Sequence, residues 1–318
     1  MAKIRSGDAE REIAELRSRL FMQDWHIAQY LAQFRLMSLR RLIGTSLGDE
    51  LHRHVIVGAI AALETFHRGV IVGIVDSSDD YKARAAESVT ERISMGDALK
   101  WFGGESVKFS ELVAHSAPFS SVTDLVSWLG RLLGCNLKKE VEDAVPPVER
   151  RNGTESAAHI VSNVDDLLSA LGEAFRLRHI FAHEAASDLV VSAAECDRLL
   201  ASIEQWMNAI DAVLWATVRA DLPLTGSEMN QQASRELKTA RRELASAMRG
   251  ARVTARKAGT ASWLRSNHVG WMRIMREWLD GAYGGRLGTR WPLEYMGSFA
   301  EAIRKRAAEV TNWAKSVS

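Results

Sequence analysis

Arg178-His179-Ile-Phe-Ala-His183-Glu184 places an arginine and two histidines within six residues, at the end of an apolar helical segment. An imidazole that titrates near neutrality can take a proton from a hydroxyl or give one to a leaving oxygen, and a planar guanidinium can hold phosphate oxygens in its fork. Together these groups suffice for phosphodiester cleavage without a metal. A structural reading of the same residues pairs Arg178 with Glu173 or Glu184 and leaves His183 at the helix C-terminus, where a cationic ring meets the negative end of the dipole.

The element that must position them is well marked. Asn163-Val-Asp-Asp166 has the form of a helix start, with a capping amide and acidic residues in the first turn. Leu167, Leu168, Leu171, Ala174, Phe175 and Ile180 then mark a buried face. On one continuous helix, five residues turn the chain so that Arg178 and His183 point about 140° apart. Their convergence therefore requires the helix to end near His183, or a facing second chain.

Other chemistry is less well supported. His179 and His183 stand one helical turn apart, as two metal ligands would, with Glu184 beside them, but the order is not that of a His-Glu-x-x-His metal helix and no third ligand is evident. No metal or cofactor is expected. Neither a Gly-x-x-x-x-Gly-Lys-Ser/Thr nor a Gly-x-Gly-x-x-Gly phosphate loop occurs. Trp263, Trp271 and Trp278 recur at helical spacing, which fits a core seam better than a base-stacking platform. Arg235, Lys238, Arg241, Arg242, Arg249, Arg252, Arg256 and Lys257 form a locally basic stretch, either a solvated face or a surface for RNA or an acidic partner.

The whole chain of 318 residues is 47% hydrophobic and balances 41 basic against 40 acidic side chains, a net charge of +1. That balance excludes a global nucleic-acid footprint, so any RNA contact must be local. Two distant cysteines, Cys135 and Cys196, give neither a disulfide framework nor a zinc cluster and fit a reducing cytoplasm. The charged start lacks an apolar signal core, and no membrane span is expected.

The periodicity is helical throughout, so the fold class is all-α. One amphipathic helix is expected from Asp8 to about Ile43 and a largely buried one from Leu51 to Val75. Asp76–Asp80 reads as a turn, with short helices over Ser88–Phe102 and Thr123–Leu133. Residues 143–156, with Pro146-Pro147 and Asn152-Gly153, read as a loop. Ser192-Ala-Ala-Glu195 has the form of a capping box that opens the next long helix. The break at Asp221–Ser227 divides the chain into an N-terminal segment 1–44, a helical domain 45–221 and a C-terminal helical domain 222–318, whose later helices run from about Ser262 to Gly281 and Pro292 to Trp313.

Arg178-His179-Ile-Phe-Ala-His183 resembles the HEPN family pattern: an arginine, four to six residues, then a histidine, often with a polar residue after the arginine. The resemblance implies an HEPN-like helical bundle, commonly dimeric, in which motif helices of two protomers build a composite endoribonuclease site. It casts Arg178 and His183 as the catalytic pair and His179 as the polar residue between them. It also implies an acidic or amide residue on an earlier helix, for which Glu64 in Ala61-Ala-Leu-Glu-Thr-Phe-His-Arg68 is the candidate. The implied function is a metal-independent ribonuclease, a toxin or antiphage effector, with RNA as substrate, a homodimer as the assembly and an antitoxin or regulatory protein as partner. The alternative is a non-catalytic HEPN-like dimer that binds or senses another macromolecule.

Residues 225–318 are similar to the N-terminal domain of the lysozyme-inhibitor LprI family, through Met229-Asn-Gln-Gln-Ala233, Leu237, Ala240, Glu243-Leu244, Trp271, Gly284-Gly285 and Arg306-Ala-Ala-Glu-Val310. Members are typically exported and carry cysteines, whereas this stretch has none and holds Gln232 where a cysteine often follows Met-Asn. The region is accordingly read as a helical accessory module for oligomerisation, sensing or partner binding.

Overall fold

In the computed structural model, residues 6–20, 24–43, 49–88, 107–154, 156–184, 188–284 and 290–317 are described. Every regular element among them is helical. The chain forms two compact units, Met1–Ala220 and Asp221–Ser318.

In the first unit, the helix expected over 8–43 is two helices, α1 (Ser6–Ser18) and α2 (Ala28–Ile43), with a single 3-10 turn at Trp25–Ile27 before α2. On the partner helix α3 (Asp49–Ser77), a Cβ at Gly69 would stand 2.9 Å from the carbonyl oxygen of Trp25, so glycine lets this turn lie directly on α3. The described residues of α1 and α2 pack within this unit. Leu36 and Leu39 of α2 are buried in the same core as α3, and Arg17 of α1 pairs with the buried carboxylate of Glu111.

Helix α3 is the centre of this unit, with Ile56, Ile60, Leu63, Phe66, Ile71 and Val75 all at most 1% exposed. Its stretch Glu50–Ser77 is long and apolar enough to cross a bilayer, with mean hydropathy 1.6, but 67% of its most apolar window is buried against protein. After a break at Ser78, α4 (Asp79–Ser88) places Asp79 and Asp80 in its first turn. The helix expected over Ser88–Phe102 lies outside the described residues. Short helices α5 (Phe109–Ser116), α6 (Val122–Leu133) and α7 (Leu137–Glu142) follow. Gly134 ends α6 in the left-handed region at φ 72°, and its amide donates back to Gly130 and Arg131.

The stretch 143–156 is not a loop throughout. Pro147 opens a short helix, α8 (Pro147–Asn152), because its fixed φ suits a first turn whose amide needs no partner, and Gly153 closes it. The motif helix α9 (Val164–His183) begins where its cap predicts, with Asn163 accepting from the amides of Asp165 and Asp166. Ser192 caps α10 (Ala193–Ala216) by accepting from the amide of Glu195, the first half of the expected capping box. Val164, Leu167, Leu171, Ala174 and Leu177 of α9 join Leu199, Ile203, Trp206 and Ile210 of α10 in the core built on α3.

The second unit contains α11 (Gly226–Lys257), α12 (Ala261–Tyr283) and α13 (Arg290–Val317). A reciprocal capping box between Thr225 and Glu228 starts α11. Its dense charge is carried by one face, while Leu237, Ala240, Leu244, Met248, Ala251 and Ala255 recur every three or four residues and pack with Phe299, Ala300, Ile303 and Val310 of α13. The tryptophan stripe of α12 is a core seam only at Trp271, which packs partly buried against this cluster. Trp263 and Trp278 are 51% and 56% exposed, and the buried positions are Leu264 and Leu279, each one residue on. A shift of one residue turns a helix by about 100°, which leaves Trp263 and Trp278 at the rim beside the buried leucines.

Candidate active site

Helix α9 runs unbroken through His183 and stops there. Glu184 is extended, at φ −123° and ψ 142°, and its amide closes the last turn on the Ile180 carbonyl. The chain beyond is tied to the start of α3: His52 Nδ1 lies 2.8 Å from the Val191 carbonyl, Arg53 donates to the Leu189 carbonyl at 3.1 Å, and the Arg53 guanidinium lies over the Phe181 ring at 5.8 Å. His52 and Arg53 at the start of α3 therefore hold the chain that follows the motif helix.

Arg178 is half-buried and reaches across to α3, where its Nη2 lies 3.7 Å from Oε1 of Glu64. Glu173 is engaged elsewhere, with Arg198 at 2.5 Å, so Arg178 takes its carboxylate from another helix and not from its own. Burial pushes the Glu64 carboxyl up from the ordinary glutamate range, against the pull of Arg178 and then Arg68. Arg68, one turn further along α3, donates to the Ala114 carbonyl at 3.3 Å and stacks over Phe119 at 5.2 Å. Glu64 is thus a carboxylate between two guanidiniums, partly withdrawn from water. Sequence reasoning found Glu64 but not Arg68, although the two are four residues apart on one helix.

His179 and His183 are both exposed, and their ring centroids lie 4.9 Å apart at an interplanar angle of 54°. Among the described residues no hydrogen bond, ion pair or ring contact joins Arg178 to His183. The four candidates therefore form two pairs within one protomer, Glu64 with Arg178 and His179 with His183, set on adjoining faces of α9. No group of three or more His, Cys, Asp or Glu side chains is gathered among the described residues.

Arg178 and His179 also line an open cleft of about 850 Å³ between α6 and α9. Its floor includes Val126, Leu168 and Phe175, and its rim carries Ser121, Thr123 and Arg176. Gly172 lies on this wall with nothing within 4 Å of the position a Cβ would take, which keeps the groove open beside the motif. No signal in the sequence marked this cleft, because α6 and α9 are separated by two short helices.

Behind the site, a buried polar link locks the scaffold. His67 of α3 is 0% exposed; its Nδ1 lies 2.9 Å from the Leu63 carbonyl and its Nε2 accepts from the indole of Trp206 on α10 at 3.0 Å. Burial pushes the imidazole down to about 4, with the Leu63 hydrogen bond acting in the other direction. It is therefore neutral at pH 7, with the proton on Nδ1, and it serves structure and not proton transfer.

No family model matches this sequence, and no curated protein or solved structure gives a significant match.

Proposed function

We propose that the first unit is a metal-independent endoribonuclease of the HEPN type, acting as a toxin or antiphage effector in the cytoplasm. The observation that carries this reading is the placement of the motif: an arginine held by a carboxylate from a neighbouring helix, and two exposed histidines on the last turn of the same helix. Arg178 would orient the scissile phosphate and offset the charge that develops on its oxygens. His183 would act as general base on the ribose 2′-hydroxyl or as general acid at the departing 5′-oxygen. The new bond joins O2′ to phosphorus and the P–O5′ bond breaks, leaving a 2′,3′-cyclic phosphate and a 5′-hydroxyl. His179 would hold its neighbour's ring, and Glu64 would set the direction of the Arg178 guanidinium.

Within one protomer Arg178 and His183 project about 140° apart on an uninterrupted helix. The reading therefore calls for a homodimer in which the motif helices face one another, so that the arginine of one and the histidine of the other flank one phosphate. A ribonuclease of this kind needs restraint until it is triggered, which makes an antitoxin or regulatory protein its partner class and gives the LprI-like second unit a role as accessory module.

The test is RNA incubated with the purified protein in EDTA. Cleavage that is lost in His183→Ala and in a verified monomer supports the reading. Equal trace cleavage by wild type and variant would leave a dimeric interaction protein instead.

A further inference from the structure

The second unit contains a cleft of its own, of about 590 Å³, between α11 and α12. Arg241, Arg249 and Arg252 reach it from one stripe of α11, and His268 and Arg276 from the facing stripe of α12. No aspartate or glutamate lines it. Among the described residues none of these four arginines has an ion-pair partner. Of the neighbouring carboxylates, Glu243 pairs with Arg304 at 3.9 Å and Glu277 with Arg273 at 4.0 Å, while Asp280 is taken up by the Tyr295 hydroxyl at the Arg241 and Arg276 end. Four like charges gathered around one concavity repel one another, and an anion seated among them removes that repulsion.

The cations fall at two ends. Arg241 and Arg252 are eleven residues apart on α11, about 16 Å along its axis. Both Arg241 and Arg276 act electrostatically on Tyr295, which puts them at one end, while Arg306 and then Arg252 act on His268 at the other. Between the ends the lining is apolar, with Leu244, Met248, Met272 and Ile303. His268 stacks on Trp271, with centroids 6.1 Å apart and planes 13° from parallel, and its Nδ1 is buried with no hydrogen-bond partner among the described residues. A buried ring nitrogen without a partner costs free energy unless a ligand satisfies it.

We infer that this cleft binds a nucleotide-class organic phosphate, with phosphates on the arginines, the apolar body over Met248 and Met272, and a polar group of the ligand at His268 Nδ1. The volume is that of a small-ligand pocket and not of a track for a long polymer. A flat basic face would bind polyanions of any length, whereas a half-open cleft with an apolar middle between cationic ends favours a body of limited size. The site lies wholly in the second unit and does not depend on RNA cleavage by the first.

The test uses the full chain and titrates adenosine triphosphate, inorganic tripolyphosphate and a single-stranded RNA of about 20 nucleotides by calorimetry at fixed salt. The expected result is saturable 1:1 binding of the nucleotide, with tripolyphosphate about tenfold weaker for want of the apolar contact. Arg252→Ala and Arg276→Ala should each weaken the nucleotide by about tenfold or more, while His183→Ala leaves it unchanged. Circular dichroism of each variant confirms that the helices are retained. Absence of saturable nucleotide binding, insensitivity to both arginine substitutions, or tripolyphosphate binding as tight as the nucleotide overturns the assignment. So does RNA binding that is tighter than the nucleotide's and is weakened by both arginine substitutions, which would make the basic face a nucleic-acid track.

Discussion

Acidification should loosen the scaffold behind the motif through one residue, His67. In the folded chain its ring is fully buried between the Leu63 carbonyl and the Trp206 indole, and burial holds it down at about 4 from the ordinary 6.5. As pH falls below 6.5 the unfolded chain takes up a proton there that the folded chain refuses until about pH 4. The stabilisation is therefore complete above pH 6.5, declines through the window down to 4, and does not change further below it. A shift of that size corresponds to about 3 kcal/mol, of which about 2 kcal/mol is lost by pH 5. The assay is urea unfolding of the first unit followed at a series of pH values. Glu64 and Asp211, whose carboxyls burial pushes up, act with the opposite sign, so the comparison is with His67→Gln, whose amide oxygen can accept the indole N–H without titrating. The variant should be less stable at pH 7 but should lose about 2 kcal/mol less between pH 7 and pH 5. Parallel losses in both proteins would refute the assignment of a buried neutral imidazole at this link.

Three further outcomes test the site and its frame. Arg178→Ala should lower RNA cleavage by about 100-fold or more, while a double-mutant cycle with Glu64→Gln on urea unfolding gives a coupling below about 1 kcal/mol, because the pair is 3.7 Å apart and partly solvated. A coupling of several kcal/mol would make the pair a structural bridge. Gly172→Ala places its Cβ in open space on the cleft wall and should raise the stability of α9 by up to about 1 kcal/mol in thermal unfolding; a loss would mean the wall is closed. Gly134→Ala should destabilise by about 1 kcal/mol or more in urea, since φ is 72° and the new Cβ would meet Arg84 Nη1 at 2.6 Å, the group that donates to the Leu133 carbonyl at 2.8 Å.

Local chemistry written in the chain was legible. Asn163 capping α9, Ser192 capping α10 and Gly134 closing α6 each act within four residues, so periodicity and cap type together place those ends. Glu64 came from a family resemblance, and the helical register of α3 then brings it beside Arg178. What escaped depends on contact between distant segments. The 3-10 turn before α2 lies on Gly69 of α3 through Trp25, and the His67 to Trp206 bond spans 139 residues. The exposure of Trp263 and Trp278 shows the limit of period alone: a spacing of seven or eight fixes one stripe but not which side of the helix the core occupies. The short helix at Pro147 shows that a proline pair punctuates the chain without saying whether it ends a helix or starts one.

The central claim is that Arg178 and His183 cleave RNA through the ribose 2′-hydroxyl. The most direct measurement uses a cleaved RNA oligonucleotide, in EDTA, against the same oligonucleotide with a single 2′-deoxy nucleotide 5′ to the scissile phosphate, with end groups identified by mass spectrometry. The account predicts a 2′,3′-cyclic phosphate and a 5′-hydroxyl from the first and no cut at that bond in the second, with both cuts absent in His183→Ala. Cleavage of the deoxy-substituted bond, or undiminished cleavage by His183→Ala, would contradict it.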